Sequence, residues 1–119
     1  MITEKQAEEF ASSWIAAWNE HDLERVLSHY SEDFEFSSPF ISKMMSENSG
    51  MLKGKANIRI YWQTALERFP DLRFELIEVL TGVESITVYY KAVLGKTGAE
   101  VFIFGGDGKV CRSMAHYRE

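Results

Sequence analysis

One carboxyl group in the sequence stands out because its neighbours are apolar. Glu100 follows Ala99 and precedes the run Val101–Phe104. If its side chain shares a strand face with Phe102 and Phe104, it enters the interior, where desolvation favours the neutral carboxyl and raises its pKa. Such a group acts as a general acid or as a hydrogen-bond donor to a carbonyl. The alternative is a carboxylate at the start of a strand that faces water or pairs with a neighbouring strand. Both interpretations stay open.

The histidines supply a second set of candidates. His116 lies near the end of the last predicted strand, and an imidazole is a candidate general base because it titrates near neutral pH. His21 and His29 lie at a helix break and on a helix, where solvated or capping roles are expected. The sequence has no H-E-x-x-H motif and no Cys–His pattern, so it predicts no metal site and no cofactor.

The charge balance argues against several classes of partner. The formal net charge is -5, from 18 acidic and 13 basic residues, and Lys and Arg form no cluster. We therefore expect no nucleic-acid partner and no binding to a membrane surface. The sequence also shows no signal-peptide pattern and no apolar run of the ~18 residues that span a bilayer. Its single cysteine, Cys111, cannot form an internal disulfide, and these features together predict a cytoplasmic protein.

Three amphipathic helices are predicted to position these side chains. A capping-box pattern followed by apolar residues at helical spacing predicts a helix over residues 4–20. Asp22 can cap a second helix that ends near Tyr30. The same periodicity predicts a third helix over residues 58–69, which a proline then closes.

The rest of the chain alternates with the period of strands. The predicted strands cover residues 34–36, 72–76, 85–94, 101–104 and 110–117. Pro39 is expected to end the first strand or to confine it to a sheet edge. Residues 42–54 have no clean periodicity and are predicted to be a loop, with methionines at positions 44, 45 and 51. These methionines indicate either packing against the domain or a flexible lid over a pocket.

Helices followed by a run of antiparallel strands predict an α+β fold, with residues 1–119 forming one domain. A strongly twisted sheet curls around its helices and leaves a cavity between them. Several strands are apolar on both faces, so both faces need burial. One face would meet the helices, and the convex face would meet a second subunit, which predicts a homodimer.

Aromatic residues are numerous enough to line such a cavity as well as to fill a core. Tryptophan rarely fills a tight core fully, and its N–H needs a partner, so several tryptophans near the helix–sheet boundary favour a site for a flat hydrophobic ligand. Plain core packing is the alternative for any one of these rings. The predicted ligand-binding residues are Trp14, Trp18, Tyr30, Phe36, Phe40, Trp62, Phe102, Phe104 and Tyr117.

A series of short motifs resembles the nuclear transport factor 2-like, SnoaL-like domains. In order along the chain they are Tyr30, Ser31-Glu32-Asp33, Ser38-Pro39-Phe40, Gly54, Tyr61-Trp62 and Asp107-Gly108-Lys109. The resemblance implies a cone-shaped domain in which three N-terminal helices pack on a strongly curved antiparallel sheet, a cystatin-like barrel. The superfamily includes isomerases, cyclases, dehydratases, epoxide hydrolases and non-catalytic binding modules, so the fold alone specifies no activity.

Ketosteroid isomerase is the nearest mechanistic comparison within that resemblance. Its general-base aspartate corresponds to Ser38, its oxyanion-hole tyrosine to Trp14, and its neutral carboxylic acid to Glu100. Because two of these three groups are changed, the same steroid isomerisation is not expected. The resemblance also places Tyr117 on the cavity face, which turns His116 outward unless a bulge reverses the strand.

Two functional hypotheses remain open at this point. The first is an enzyme that isomerises, dehydrates or cyclises a small hydrophobic substrate by moving a proton beside a carbonyl. Glu100 would be the acid or proton shuttle, with Ser38 and His116 as further catalytic candidates and with Trp14 and Tyr117 orienting the substrate. The second is a non-catalytic module that binds a hydrophobic ligand or acts as a dimeric protein-interaction domain.

Overall fold

The computed structural model of this chain describes residues 1–118. The helices are α1 (Glu4–Asn19), α2 (Leu23–Leu27), α3 (Pro39–Met44) and α4 (Lys55–Arg68), with a 3-10 turn at Val93–Gly95. The strands are β1 (Tyr30–Ser37), β2 (Met51–Lys53), β3 (Glu75–Gly82), β4 (Ser85–Lys91), β5 (Thr97–Phe104) and β6 (Val110–Arg118). None of the helices within residues 1–118 combines the length and apolar character that crossing a bilayer requires.

The α1 helix begins where the sequence predicts it. The Thr3 hydroxyl accepts a hydrogen bond from the Gln6 backbone N–H, and the Gln6 side chain accepts one from the Thr3 backbone N–H, which completes the capping box. Residues at helical spacing then form one buried face against the sheet. That face carries Trp14 and Trp18 toward the interior.

The sheet confirms the predicted α+β class and corrects its pairing. Its six strands within the described residues run in the order β2-β1-β6-β5-β4-β3. The pair β1–β6 is parallel and the other neighbouring pairs are antiparallel, so the sheet is mixed rather than antiparallel throughout. A parallel pair needs a long crossover connection, and here most of the chain separates the two strands. The sheet stays open, with β2 and β3 at its edges, so it forms no closed barrel.

The segment after β1 differs most from the prediction. As predicted, β1 ends just before Pro39, but Pro39 also starts the short helix α3, and Ser38 caps that helix by accepting the Phe40 N–H at 3.2 Å. The predicted loop 42–54 therefore contains the end of α3 and the short strand β2. Six helical residues and three strand residues are too few to give a readable periodicity.

A second difference concerns the predicted strand 72–76. Leu72 and Phe74 are buried but precede β3, because side chains at the end of α1 hold their backbone. The Asn19 amide donates to the Phe74 carbonyl at 2.9 Å and accepts the Phe74 N–H at 2.6 Å. His21 Nε2 lies 2.9 Å from the Leu72 carbonyl. Leu72 and Phe74 are thus buried without pairing to a strand, and Arg73 between them is exposed.

Candidate functional site

A pocket lies between the helices and the inner face of the sheet. Its volume is about 50 Å³, which is room for a few waters or part of a small ligand. The lining residues come from α1, β1, α3, α4, the segment before β3, and β4–β6. They are Trp14, Trp18, Phe36, Phe40, Met44, Tyr61, Trp62, Ala65, Phe69, Leu72, Phe74, Tyr90, Ala92, Val93, Glu100 and Tyr117.

Other depressions on the molecule are larger, but they do not bury a group that could react. A surface groove of about 390 Å³ between α1 and β3 is lined by exposed residues such as Glu4, Glu8 and Glu78. Its carboxylates face solvent, and nothing there desolvates a reacting group. The aromatic pocket, where Glu100 is buried, is therefore the candidate site.

Most of the predicted aromatic wall lines this pocket, and three predicted residues do not. Tyr30 is buried elsewhere: its hydroxyl accepts the Trp14 indole N–H at 2.9 Å, and its ring packs on Phe34 with centroids 4.3 Å apart. Phe102 is fully buried between Phe10 and Trp14, with centroids 4.8 and 5.2 Å away. These rings belong to the core, which was the alternative that the sequence left open.

Phe104 also lies outside the pocket, although it follows Glu100 and Phe102 in strand alternation. A register shift between Ile103 and Phe104 alters the pairing of β5 with β6 at that point. The Phe104 ring packs edge-on against Phe10 at 5.2 Å, toward the start of α1. Phe104 is therefore not among the residues that line the pocket.

Glu100 lies on the inner face of β5, inside the pocket. Strand register sets it opposite Val88 on β4 and Ala115 on β6, and it is 3% exposed. Its two carboxyl oxygens accept hydrogen bonds from the Tyr90 hydroxyl and the Ser113 hydroxyl, each at 3.2 Å. Glu100 is therefore not a solvated carboxylate; it enters the interior and also pairs with both neighbouring strands, through Tyr90 on β4 and Ser113 on β6.

Burial governs the charge of this carboxyl. Desolvation raises the pKa of Glu100 to about 7, against the opposing effect of the hydrogen bonds from Tyr90 and Ser113. Near neutral pH the group is therefore present in both its neutral and its ionised form. Burial, together with the charge of Glu100, also raises the pKa of the Tyr90 hydroxyl well above its usual value, so that hydroxyl stays protonated.

Further hydroxyl groups extend from Glu100 toward α3. Against the larger effect of burial, Tyr90 and Ser38 act to lower the pKa of the Tyr117 hydroxyl, and Ser38 acts to lower that of Tyr61. Burial raises the pKa of Tyr61 to about 12. The predicted catalytic candidate Ser38 is buried and caps α3, and it is not among the residues that line the pocket.

The histidines are not brought to the pocket. His116 is on the exposed face of β6, where its Nδ1 lies 3.2 Å from the Ala99 carbonyl, and no bulge turns it inward. The catalytic role predicted for His116 is therefore not supported. Strand alternation turns His116 to the sheet face away from the pocket, since the next residue, Tyr117, faces the pocket. His29 Nε2 lies 3.1 Å from the Ser13 hydroxyl. Within residues 1–118, no group of three His, Cys, Asp or Glu side chains is placed to hold a metal ion.

The two tryptophans of α1 differ in how their indole N–H groups are used. Trp14 donates to the Tyr30 hydroxyl and so cannot also donate to a ligand through the same hydrogen. Trp18 Nε1 is buried and has no partner among the described residues. Trp14 can therefore orient a ligand only through contact with its ring, not through its N–H.

A model of the SnoaL-like domain matches residues 11–118, which is most of the chain. The chain belongs to the SnoaL-like domain family. This confirms the resemblance to the nuclear transport factor 2-like superfamily that the motifs indicated.

Solved structures show how this SnoaL-like fold persists across sequence distance. A SnoaL-like protein of unknown function from Burkholderia thailandensis is 46% identical, with 99% of this chain and 98% of that chain covered and a TM-score of 0.96. A proposed isomerase of the SnoaL-like family from Agrobacterium tumefaciens is 18% identical, with 97% and 99% covered and a TM-score of 0.77. TerC, co-crystallised with polyporic acid, is 17% identical, with 94% and 91% covered and a TM-score of 0.75. A comparison with curated proteins gave no match.

Several residues of this SnoaL-like site were missed as site residues by the sequence reasoning, and Tyr90 is the most important of them. It alternates with Val88 and Ala92 on a strand, so the same period that placed Glu100 inside could have placed Tyr90 there. Opposite it stands Gly98, where an added Cβ would lie 3.0 Å from the Tyr90 ring. The glycine thus leaves the space that the ring occupies beside Glu100.

Proposed function

We propose that this chain binds a small hydrophobic carbonyl compound in its pocket and transfers a proton beside that carbonyl through Glu100. The resulting activity is that of an isomerase, dehydratase or cyclase. The observation that supports it best is a buried carboxyl, hydrogen-bonded to Tyr90 and Ser113, at the inner end of an aromatic pocket. Strongly perturbed acids in clefts are frequent at active sites and uncommon elsewhere.

The proton step needs both forms of the Glu100 carboxyl. The ionised carboxylate takes a proton from the carbon next to the carbonyl. The electron pair of that C–H bond moves toward the carbonyl oxygen to give an enolate. The neutral carboxyl then returns the proton to a carbon of the substrate. A pKa of about 7 suits both half-steps, because the group then gains and loses a proton at similar cost.

The volume of the pocket and the residues that line it indicate the size and polarity of the ligand. A volume of about 50 Å³ holds only part of a small ligand, which argues against a polycycle, and the aromatic walls favour a flat ligand. The Tyr117 hydroxyl lies at the pocket and stays protonated, since burial raises its pKa. It can therefore donate a hydrogen bond to the developing enolate oxygen. TerC, which shares this fold, was co-crystallised with polyporic acid, which supports a ligand-binding role for the pocket here.

Ligand binding is tested by a thermal-shift screen of small cyclic ketones and lactones against the wild type and Glu100→Gln. We expect stabilisation of the wild type and about fivefold weaker apparent binding to the variant, since the substitution changes the polar group that faces the ligand. Glu9→Gln, on the exposed side of α1, makes the same chemical change away from the pocket and should behave as wild type. An equal response of wild type and Glu100→Gln would remove Glu100 from the ligand site.

A dimeric interaction module is the second candidate, and the outer sheet face favours it. Strand register aligns Leu80, Thr87, Val101 and Met114 in one row across β3–β6 on the face opposite Glu100. Leu80 is 53% exposed, and the row is unusually apolar for a solvated surface. We propose that a second copy of the chain covers this convex face.

Light scattering coupled to size exclusion tests the homodimer. We expect the wild type to elute with twice the chain mass, and Val101→Glu to halve that mass, because a charge in an apolar interface is costly to desolvate. Ile60→Glu places the same charge on the exposed side of α4 and should leave the mass unchanged. A wild type that stays monomeric at high protein concentration would contradict the proposal.

A further inference from the structure

Trp18 carries a buried hydrogen-bond donor that the protein itself does not use. Its side chain lines the pocket and is 5% exposed, and within residues 1–118 its Nε1 has no hydrogen-bond partner. Trp14, one helical turn earlier, shows the usual arrangement, since its Nε1 donates to the Tyr30 hydroxyl. Buried donors are nearly always paired, because an unpaired one loses its hydration without replacement. The unpaired Trp18 N–H therefore needs an explanation.

The side chains that hold the Trp18 indole offer it no oxygen or nitrogen acceptor. Trp62 packs edge-on against it with ring centroids 5.2 Å apart, and Phe74 lies at 5.7 Å. Aromatic faces are weak acceptors compared with a carbonyl or hydroxyl oxygen. These rings fix the indole in place without satisfying its N–H. The Trp18 ring is thus held in the wall of the pocket that Glu100 also enters, with its N–H buried and unpaired.

We propose that the ligand of this pocket carries a second hydrogen-bond acceptor, which the Trp18 indole N–H binds while the reacting carbonyl lies at Glu100. This inference rests on the proposed function, since it concerns the same ligand. Trp18 belongs to α1 and Glu100 to β5, so the two groups enter the pocket from the helical layer and from the sheet. The ligand class is therefore a small ring with oxygens on two sides, such as a diketone or a hydroxyketone.

The Trp18 N–H makes the site selective against a ring with one oxygen. Such a ring would cover the N–H with a C–H group and leave the donor desolvated and unpaired. Sites that hydrogen-bond a ligand oxygen discriminate strongly against the analogue that lacks it, for the same reason. Trp18 is thus a specificity-determining residue rather than a catalytic one.

The test compares cyclohexane-1,4-dione with cyclohexanone, which have the same ring and differ in one carbonyl. Titrations of ¹⁵N-labelled protein, followed through the tryptophan indole signals, give the affinity of each ketone. For the wild type we expect the dione to bind about five- to tenfold more tightly and to shift the Trp18 indole proton downfield, which cyclohexanone does not. In Trp18→Phe the preference for the dione should fall to near unity.

Trp14→Phe is the matched control, because it removes an indole whose N–H is already bound to Tyr30. The preference for the dione should survive in that variant, whatever its overall affinity. If Trp14→Phe fails to fold, the indole shift of Trp18 in the wild type decides the question. Equal affinities in the wild type, or a preference that persists in Trp18→Phe, overturn the role of Trp18 and leave the proposed function standing. Failure of both ketones to bind overturns both proposals.

Discussion

In D₂O, the wild-type protein should exchange the hydrogens beside the carbonyl of cyclohexanone for deuterium, and Glu100→Gln should slow that exchange by about two to four orders of magnitude. The carboxamide keeps the shape of the side chain but cannot take up a proton near neutral pH. Because the ionised carboxyl is the base, the rate should rise with pH and level off above the Glu100 pKa of about 7. Proton NMR follows the loss of the ketone signals directly, without knowledge of the natural substrate.

The same experiment includes its own controls. Glu9→Gln should retain the wild-type rate, and Tyr90→Phe should shift the midpoint of the pH–rate curve upward, since the Tyr90 hydrogen bond lowers the pKa of Glu100. Equal exchange rates in wild type and Glu100→Gln would remove Glu100 from the chemistry. A wild-type exchange rate whose dependence on pH does not change slope near pH 7 would also show that Glu100 is not the base.

Raising the pH from about 4.5 to above 7 should reduce the contribution of Glu100 to the free energy of unfolding by about 3 kcal/mol. The carboxyl ionises near pH 4.5 in the unfolded chain but only near pH 7 in the folded protein. Between these values the unfolded state binds fewer protons, so stability falls as the pH rises. Below pH 4.5 both states are protonated and the contribution is fully present.

Urea unfolding of wild type and Glu100→Gln across this range measures the contribution as a difference. The difference is needed because His29 acts in the opposite direction: burial lowers its pKa, so its contribution is lost as the pH falls below about 6.5. This histidine is common to both proteins and cancels. Two curves that stay parallel from pH 4.5 to 8 would show that the folded-state pKa of Glu100 is not raised.

The periodicities in the sequence predict the parts of the fold that bury one regular face. Helical spacing identified α1 and α4, strand alternation made an inward-facing Glu100 one of two open interpretations, and the family resemblance turned His116 outward on β6. These predictions succeeded because a long element repeats its pattern several times. The Glu100 prediction also needed the apolar residues around it, which identified the inner face as buried.

The parts that escaped prediction depend on contacts between distant residues. Phe74 is held by the side chain of Asn19, which lies 55 positions away and leaves no periodic signal. The parallel pairing of β1 with β6 likewise joins two strands that are far apart in the sequence, so it leaves no local pattern. Tyr30 and Phe102 are as aromatic as the pocket residues, and only their neighbours in space assign them to the core. Residue type therefore predicted an aromatic interior but not its division into core and pocket.

The hydrogen bonds that hold the segment before β3 to Asn19 have a consequence for how the pocket can evolve. Phe69, Leu72 and Phe74 supply part of the pocket wall from a stretch that no strand partner constrains. Substitutions in this stretch can change the room for a ligand while β5 and β6 keep Glu100 and Ser113 in register. Part of the wall that limits ligand size is thus encoded apart from the strands that hold the carboxyl. A lineage with this architecture can exchange one substrate for another without rebuilding the acid.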